Sequence, residues 1–383
     1  MIGRHISEKL KYYLTKYPLV TLTGPRQSGK STLLREVFTG YKYLSFEDPD
    51  VLMMAKEDPR LFLNQHNGNC IFDEVQRFPE MFSWLQSHVD KVNKEGLYIL
   101  SGSHNFLLME KISQTLAGRT AILKLFPFSK VELYNEEIGI SSLDELLFTG
   151  FYPRIYDKRL KPDEFYPFYI QTYVERDVRQ LVNISDVSKF IKFIKLCAGR
   201  IGHLLNLSSL SNECGISQPT ANAWLSILES SYIIYLLKPY HKNYNKRLVK
   251  TPKLYFFDIG LACSLLGINS SEQLYSHFLR GSLFENLIIV EYIKSCFNQA
   301  KEPNIYFWRD NTGNEVDLLI EKDSQLFAYE IKSGSTYNPE FFKNLKFWER
   351  ITGNSQNLAV IYGGEKNMET KNGSLISWNS WCI

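Results

Sequence analysis

The sequence lacks the marks of several protein classes. Its six cysteines, at 70, 197, 214, 263, 296 and 382, form no C-x-x-C pair and have no histidine at metal-ligand spacing nearby. That excludes a zinc ribbon and a disulfide scaffold, and predicts reduced, mostly buried thiols. No run of about 18 apolar residues occurs, so no membrane-spanning helix is expected. The opening MIGRHISEKLKYYLTKYP is an amphipathic charged segment, unlike a basic stub before an apolar run. The expectation is a cytoplasmic protein with no membrane partner. Charge of one sign is missing too, since 44 Lys and Arg oppose 41 Asp and Glu for a net +3. Without a global field, any contact with nucleic acid has to come from a local patch. There is no tandem repeat and no low-complexity linker.

What is there fits two or three domains, since 383 residues exceed one typical core and 44% hydrophobic residues suffice to fill several. Apolar strand candidates at Leu19 to Thr23, Tyr41 to Phe46, Cys70 to Phe72, Leu97 to Leu100 and Ala121 to Leu125 alternate with helical stretches, which predicts a parallel sheet covered on both faces. From about Leu143 to Leu205 the pattern is helical and aromatic, a linker or lid. Residues 206–252 read as a winged helix-turn-helix, with helices at LSSLSNECG and QPTANAWLSILESSY around a turn at Gly215 to Ser217. A second α/β pattern fills 253–383, with strands at NIYFWRD, EVDLLIE and LFAYEIKSG. The expected divisions are therefore 1–142, 143–205, 206–252 and 253–383.

Gly24-Pro25-Arg26-Gln27-Ser28-Gly29-Lys30-Ser31, followed by Thr32, matches G-x-x-x-x-G-K-[ST] between a strand and a helix. The glycines let backbone amides wrap phosphate oxygens, and the helix N-terminus adds its positive dipole end. ATP is the expected ligand. Lys30 is expected on the β and γ phosphates, and Ser31 on Mg2+. In Cys70-Ile71-Phe72-Asp73-Glu74 an apolar strand ends in two carboxylates, Asp73 to hold Mg2+ through water and Glu74 to polarise the attacking water. The strand at Leu97 to Leu100 runs into Ser101-Gly102-Ser103-His104-Asn105, where Ser103 or Asn105 could sense the γ-phosphate or simply close a polar turn. Arg119 could face a phosphate in its own or a neighbouring subunit, or be an ordinary surface residue. The first role implies a homo-oligomer.

Together these segments resemble the AAA-type ATP-binding proteins of bacteria and archaea that carry a C-terminal domain of unknown function. The matching pieces are GPRQSGKST, Phe46-Glu47-Asp48-Pro49, IFDEVQRFP, LSGSHNFLL, LAGRTAILKLFPFS, YVERDV, PKLYFFDIGLA, RGSLFENLIIVEY, and EVDLLIE with YEIKSG. Gln76 and Arg77 match as well, with no separate chemistry assigned. The resemblance covers nearly the whole chain.

Within the helix-turn-helix, Ser217 before Pro219 starts a helix that presents Gln218, Thr220 and Asn222, types able to read base edges. No Lys or Arg lies between Arg200 and Lys238, so sequence-specific reading lacks phosphate anchors. Lys238, Lys242, Lys246, Arg247, Lys250 and Lys253, with Tyr240 and Tyr244 among them, could give non-specific DNA contact through the wing. The module could equally be a scaffold.

Asp317 lies in one apolar strand, and Glu330-Ile331-Lys332 closes the next after a turn near Lys322-Asp323. That arrangement resembles the PD-(D/E)xK nuclease fold, a restriction-endonuclease-like α/β domain. The likeness implies Asp317 and Glu330 as Mg2+ ligands, Lys332 as the residue that positions water, and Glu285 as the added acidic residue of the first helix. The proline of the fold's name is absent before Asp317. DNA cleavage gated by nucleotide, and a protein-interaction switch with an inactive nuclease-like domain, both remain open.

Overall fold

The computed structural model describes residues 2–102, 114–136, 138, 142–172, 186–240, 249–353 and 356–382. Its N-terminal part is a five-stranded, all-parallel sheet in the order β2-β3-β4-β1-β5. The strands are β1 (Leu19–Thr23), β2 (Lys42–Ser45), β3 (Cys70–Asp73), β4 (Tyr98–Ser101) and β5 (Thr120–Lys124). In β1, β3 and β4 every residue is buried, as near-continuous apolar runs require when both faces are covered. Side chains alternate between two layers. Phe72, Tyr98 and Leu100 pack with Phe46, Phe62 and Leu85, while Val20, Ile71 and Ile99 pack with Ile6, Leu10 and Leu34. The sheet ends therefore stay free to carry polar loops at the C-terminal edge of β1, β3 and β4.

Among the described residues, helices follow at Lys130–Tyr134, Leu143–Thr149, Pro153–Lys158, Pro162–Tyr169 and Val187–Ala198. Next come Leu207–Cys214, capped by Asn206, and Gln218–Ser230, whose Ser217 side chain accepts from the Thr220 amide with Pro219 in the first turn. β6 (Ile234–Leu237) pairs antiparallel with β7 (Lys253–Phe256). The connection between them is docked at both ends. The Tyr240 amide donates to the Phe307 carbonyl at 2.7 Å, and the Val249 amide donates to the Arg309 carbonyl.

The C-terminal sheet is mixed, in the order β12-β13-β11-β10-β9-β8. It is preceded by the long helix Arg280–Asn298. β8 (Ile305–Arg309), β9 (Glu315–Lys322) and β10 (Gln325–Lys332) form an antiparallel meander, and β11 (Leu358–Tyr362) joins β10 in parallel after the helix Lys343–Thr352. β12 (Met368–Thr370) and β13 (Gly373–Ser377) complete it. Asp323 and Ser324 both have positive φ, the two-residue turn that suits the twist of a hairpin. One continuous apolar core runs from Phe126 through the helical segment and the β6–β7 hairpin to Trp381.

The chain is thus α/β, with an N-terminal parallel sheet flanked by helices and a C-terminal mixed-sheet domain. All six cysteines are free, and Cys70, Cys197, Cys214 and Cys263 are buried. Among the described residues no helix is long and apolar enough to cross a membrane.

Candidate functional site

The loop after β1 is shaped by two glycines. Gly24 has φ +149, and a Cβ there would lie 2.0 Å from the Leu125 carbonyl oxygen; Gly29, at φ +91, precedes the helix Lys30–Val37. Only glycine meets both demands without strain. Lys30 is 6% exposed, and its Nζ donates to the carbonyls of Gly24 at 3.0 Å and Pro25 at 2.8 Å. Burial lowers this ammonium to about 8, against the attraction of Glu74 and Asp73. Ser28 is buried, with its hydroxyl on the Pro25 carbonyl.

Asp73, at the end of β3, gathers hydroxyls. Ser31 Oγ donates to Oδ2 at 2.6 Å, Tyr43 to the same oxygen, and Ser101 Oγ to Oδ1 at 2.6 Å. Burial acts to raise this carboxyl, but those donors and the Glu74 amide outweigh it and hold the group below the usual carboxylate range. Glu74 sits at φ +55, an uncommon conformation for a glutamate, and Gln76 donates to its carboxylate. Burial raises Glu74, with Lys30 opposing. Ser31, Thr32, Tyr43, Glu47, Asp73 and Glu74 border a cleft of about 360 Å³. Beside it Arg26, Gln27, Gly29 and Lys30 open onto a wider groove of about 2070 Å³ that reaches Pro153, Arg154 and Phe168. Ser31 and Asp73 offer hard oxygen donors side by side, which suits Mg2+.

Residues 24–32, 73 and 74 are thus brought together at one sheet edge. Ser103 and Asn105 lie outside the described residues. Arg119 needs correction as a ligand of its own subunit's nucleotide. Its carbonyl accepts from the Leu19 amide at the start of β1, so it stands at the opposite sheet edge, roughly 16 Å of strand away at about 3.3 Å per residue. There it grips Asp90 with two bonds, 2.6 and 2.9 Å.

Three contributors were missed from sequence. Tyr43 and Ser101 belong to strands beside the site, and only the sheet order shows that they reach Asp73. The third is Arg4, buried, whose guanidinium donates to the Ser28 carbonyl at 2.9 Å, the Phe126 carbonyl at 2.6 Å and Glu132 at 3.2 Å. No motif flags it.

In the C-terminal domain Lys332 Nζ lies 3.2 Å from Asp317 Oδ2 and 2.5 Å from Glu330 Oε2, so the expected neighbours do meet. Pairing of β9 with β10 ends at Leu318 and Tyr329, and the Asp317 carboxylate takes the Ile331 amide at 2.8 Å. Among the described residues, the carboxylates that crowd closest are not Asp317 with Glu330. Glu330 is fully buried, and burial with the nearby Asp317 charge pushes it well above the usual range. The oxygens that gather within 4.8 Å are those of Glu285, Glu315 and Asp317. In sequence Glu315 is marked only as a strand residue in the place of the nuclease fold's proline.

Lys253 is a second correction. It does not join a solvent-facing wing, being 2% exposed with Nζ 2.9 Å from Glu285 and in contact with Glu315. Tyr240, read with the same wing, packs edge-on against Tyr306 of β8. Lys238 and Lys250 are exposed, while Lys242, Tyr244, Lys246 and Arg247 lie outside the described residues.

Residues 16–134 match the AAA domain family. Residues 140–272 and 280–381 match two domains of unknown function, DUF8612 and DUF4143. The chain is 30% identical to the uncharacterized protein Rv2008c of Mycobacterium tuberculosis over 94% of its own length and 80% of the other's. It is 22% identical to the uncharacterized protein MJ1637 of Methanocaldococcus jannaschii, covering 95% and 85% of the two chains. The Walker-type ATPase paby2304 of Pyrococcus abyssi superposes with a TM-score of 0.47 at 16% identity, over 69% of this chain and 96% of that one. With its P-loop, its AAA domain and a relative alike over nearly its whole length, the chain belongs with Rv2008c to one family of AAA-type ATPases.

Proposed function

We propose that the protein is a Mg2+-dependent ATPase switch whose nucleotide state is passed to its C-terminal domain. Amides of residues 24–31 and the N-terminus of the Lys30–Val37 helix cradle the phosphates. Lys30 leaves the Gly24 and Pro25 carbonyls for the phosphate oxygens. Ser31 and Asp73 would hold Mg2+, which supplies charge neutralisation on those oxygens. Glu74 orients the attacking water, and Tyr43 with Ser101 keeps Asp73 ionised and aimed.

The observation that carries the switch is a buried polar chain out of the P-loop. Arg4 joins Ser28 to Phe126 and Glu132; two residues from Glu132, the Lys130 amide donates to Glu291 at 2.6 Å, and Lys130 Nζ donates to the carbonyls of Trp378, Asn379 and Trp381. Lys294 closes the network on Glu291 and the Phe128 carbonyl. A loop that moves with nucleotide therefore has rigid, buried partners on the long helix and the final turn of the chain. Hydrogen exchange of residues 285–298 and 378–382 with ADP, with a non-hydrolysable ATP analogue and without nucleotide tests it. Nucleotide-dependent protection in the wild type, lost in Lys130→Met, is expected, and identical exchange in all three states refutes the switch.

A second reading, DNA as the partner, is favoured by exposed residues on two helices. Lys189, Lys192 and Lys195 recur every three residues on the solvent side of the Val187–Ala198 helix, and Gln218 and Asn222 are exposed on the Gln218–Ser230 helix. Such a surface suits phosphate contact with little base reading. A duplex-binding assay across salt concentrations, with Lys189, Lys192 and Lys195 changed together to Gln, decides it: unchanged affinity sets DNA contact by these lysines aside. A homo-oligomer completed by Arg119 belongs to the same proposal and is read from mass in solution with and without ATP.

A further inference from the structure

The β8–β9–β10 meander, with a helix on either side and β11 alongside, is the architecture on which metal-dependent nucleases place their carboxylates. The metal that this likeness implies has to fit the residues present, and they do not leave it room. Glu285, Glu315 and Asp317 converge within 4.8 Å, a spacing that would draw a cation. A cation is already part of the fold there. Lys253 Nζ touches both Glu285, at 2.9 Å, and Glu315. Its position is held on several sides: β7 pairs Lys253 with Leu237 of β6, a bridge links Lys253 to Leu204, and the ammonium lies 5.5 Å from the Phe307 ring centre.

Further donors reach the same three carboxylates. Tyr255 donates to the same Glu285 oxygen at 2.5 Å, Arg309 to Glu315 Oε2 at 2.9 Å, and Lys332 and the Ile331 amide to Asp317. Four carboxylates, with Glu330 the fourth, thus face Lys253, Lys332 and Arg309. A Mg2+ ion needs a near-octahedral shell of oxygens at about 2.0–2.1 Å. An ammonium wedged between two of its ligands denies it both the space and the negative charge.

We infer that Lys253 is the built-in counter-cation of the C-terminal domain, standing where a nuclease would place a divalent metal, so that this domain binds its target without metal-dependent cleavage of phosphodiesters. Lys253 also comes from the strand that follows the helix-turn-helix segment. The same ion pairs therefore clamp that hairpin to the C-terminal sheet. This inference concerns the C-terminal domain alone, and ATP turnover at the P-loop neither supports nor harms it.

The test is Mn2+ uptake by the full, nucleotide-free chain, read from loss of the free-ion signal in electron paramagnetic resonance. Asp73 and Ser31 are intact in every variant, so the P-loop contribution is constant. Wild type and Asp317→Asn are expected to take up the same number of ions. Lys253→Met is expected to gain one ion, which Lys253→Met with Asp317→Asn loses again. A wild-type ion that disappears in Asp317→Asn overturns the inference, as does Mn2+-dependent nicking of a plasmid by wild type but not by Asp317→Asn. A folded Lys253→Met that gains no ion overturns it too. Should Lys253→Met fail to fold, the comparison of wild type with Asp317→Asn decides by itself.

Discussion

Ser101 Oγ donates to Asp73 Oδ1 across 2.6 Å, from the end of one central strand to the end of its neighbour. Both residues are buried, so the bond forms away from competing water. It fixes one carboxylate oxygen, while Ser31 and Tyr43 share the other. The Asp73 carboxylate is thus aimed by residues from three separate segments.

Removing that bond separates aim from binding. Ser101→Ala leaves the P-loop amides untouched, so ATP affinity is expected to change little while kcat falls roughly tenfold, a loss of about 1.4 kcal/mol of the kind typical for a hydrogen bond to a charged group. The Asp73 pKa rises in the variant, which moves the acidic limb of the kcat profile to higher pH. The sign for stability agrees: a depressed carboxyl contributes stability above its unfolded pKa and loses it as pH falls through the folded one. Steady-state kinetics from pH 4 to 8 check both parts, and an unshifted acidic limb removes Ser101 from the site.

Lys30 offers a proton-coupled signature. In the nucleotide-free protein burial lowers it to about 8, whereas polyphosphate oxygens favour the ammonium. ATP binding at about pH 8.5 is therefore expected to take up a proton, and affinity to weaken as pH rises through that range. For folding the sign is opposite to that of a salt-bridged lysine. With its folded pKa below the unfolded 10.5, Lys30 opposes folding at neutral pH, and the penalty fades as pH climbs from about 8. Calorimetric titration of ATP in two buffers of different ionisation enthalpy measures the uptake, and equal enthalpies exclude it. Lys30→Ala should abolish both binding and uptake.

On the proposed mechanism Glu74 serves the attacking water rather than the nucleotide. Glu74→Gln keeps the side chain's size and its Gln76 neighbour, so ATP affinity should persist while turnover falls by about 10²–10⁴, the usual contribution of a positioned general base. Single-turnover hydrolysis beside nucleotide binding reads the two separately, and a variant that still turns over normally places the base elsewhere.

Legibility followed the range of each interaction. The P-loop and the Asp73-Glu74 strand end were readable because a few contiguous residues do the work, and glycine at 24 and 29 answers a local backbone demand. The parallel sheet was readable because β1, β3 and β4 are mostly apolar runs, with their polar residues few and mainly at the strand ends. Tyr43 and Ser101 were not, since their role depends on strand order, which alternation does not encode. Lys253 misled for the same reason. In sequence it sits among six cationic residues of a wing, yet strand pairing turns it inward onto Glu285 and Glu315. Sequence left Arg119 open between a phosphate contact and an ordinary surface residue, and its place just before β5 sets it at the far edge of the sheet from its own nucleotide site.

Arg119→Ala accordingly should leave ATP affinity and single-site turnover unchanged in a dilute, monomeric preparation. Its two hydrogen bonds to Asp90 are solvent-exposed and add little. A loss of ATP affinity in that preparation would return Arg119 to its own nucleotide site.

Arg4 allows stability and nucleotide binding to be pulled apart. Its guanidinium and the Glu132 carboxylate are buried, with side-chain exposures of 4% and 0%. Arg4→Met strands that carboxylate, and breaking such a buried pair from one side costs about 3–5 kcal/mol. Changing both residues, Arg4→Met with Glu132→Met, removes the stranded charge, so denaturant unfolding should show part of the stability restored. Restoration stays partial because the His5 and Ser129 amides lose their acceptor. Nucleotide binding follows a different rule: the Ser28 and Phe126 carbonyls lose Arg4 in the single and the double variant alike. The KM for ATP should therefore rise by a similar factor, about tenfold, in both, although their unfolding free energies differ by a couple of kcal/mol. If KM instead recovers together with stability, Arg4 acts only as a core ion pair and the route from the P-loop into the rest of the protein does not begin with it.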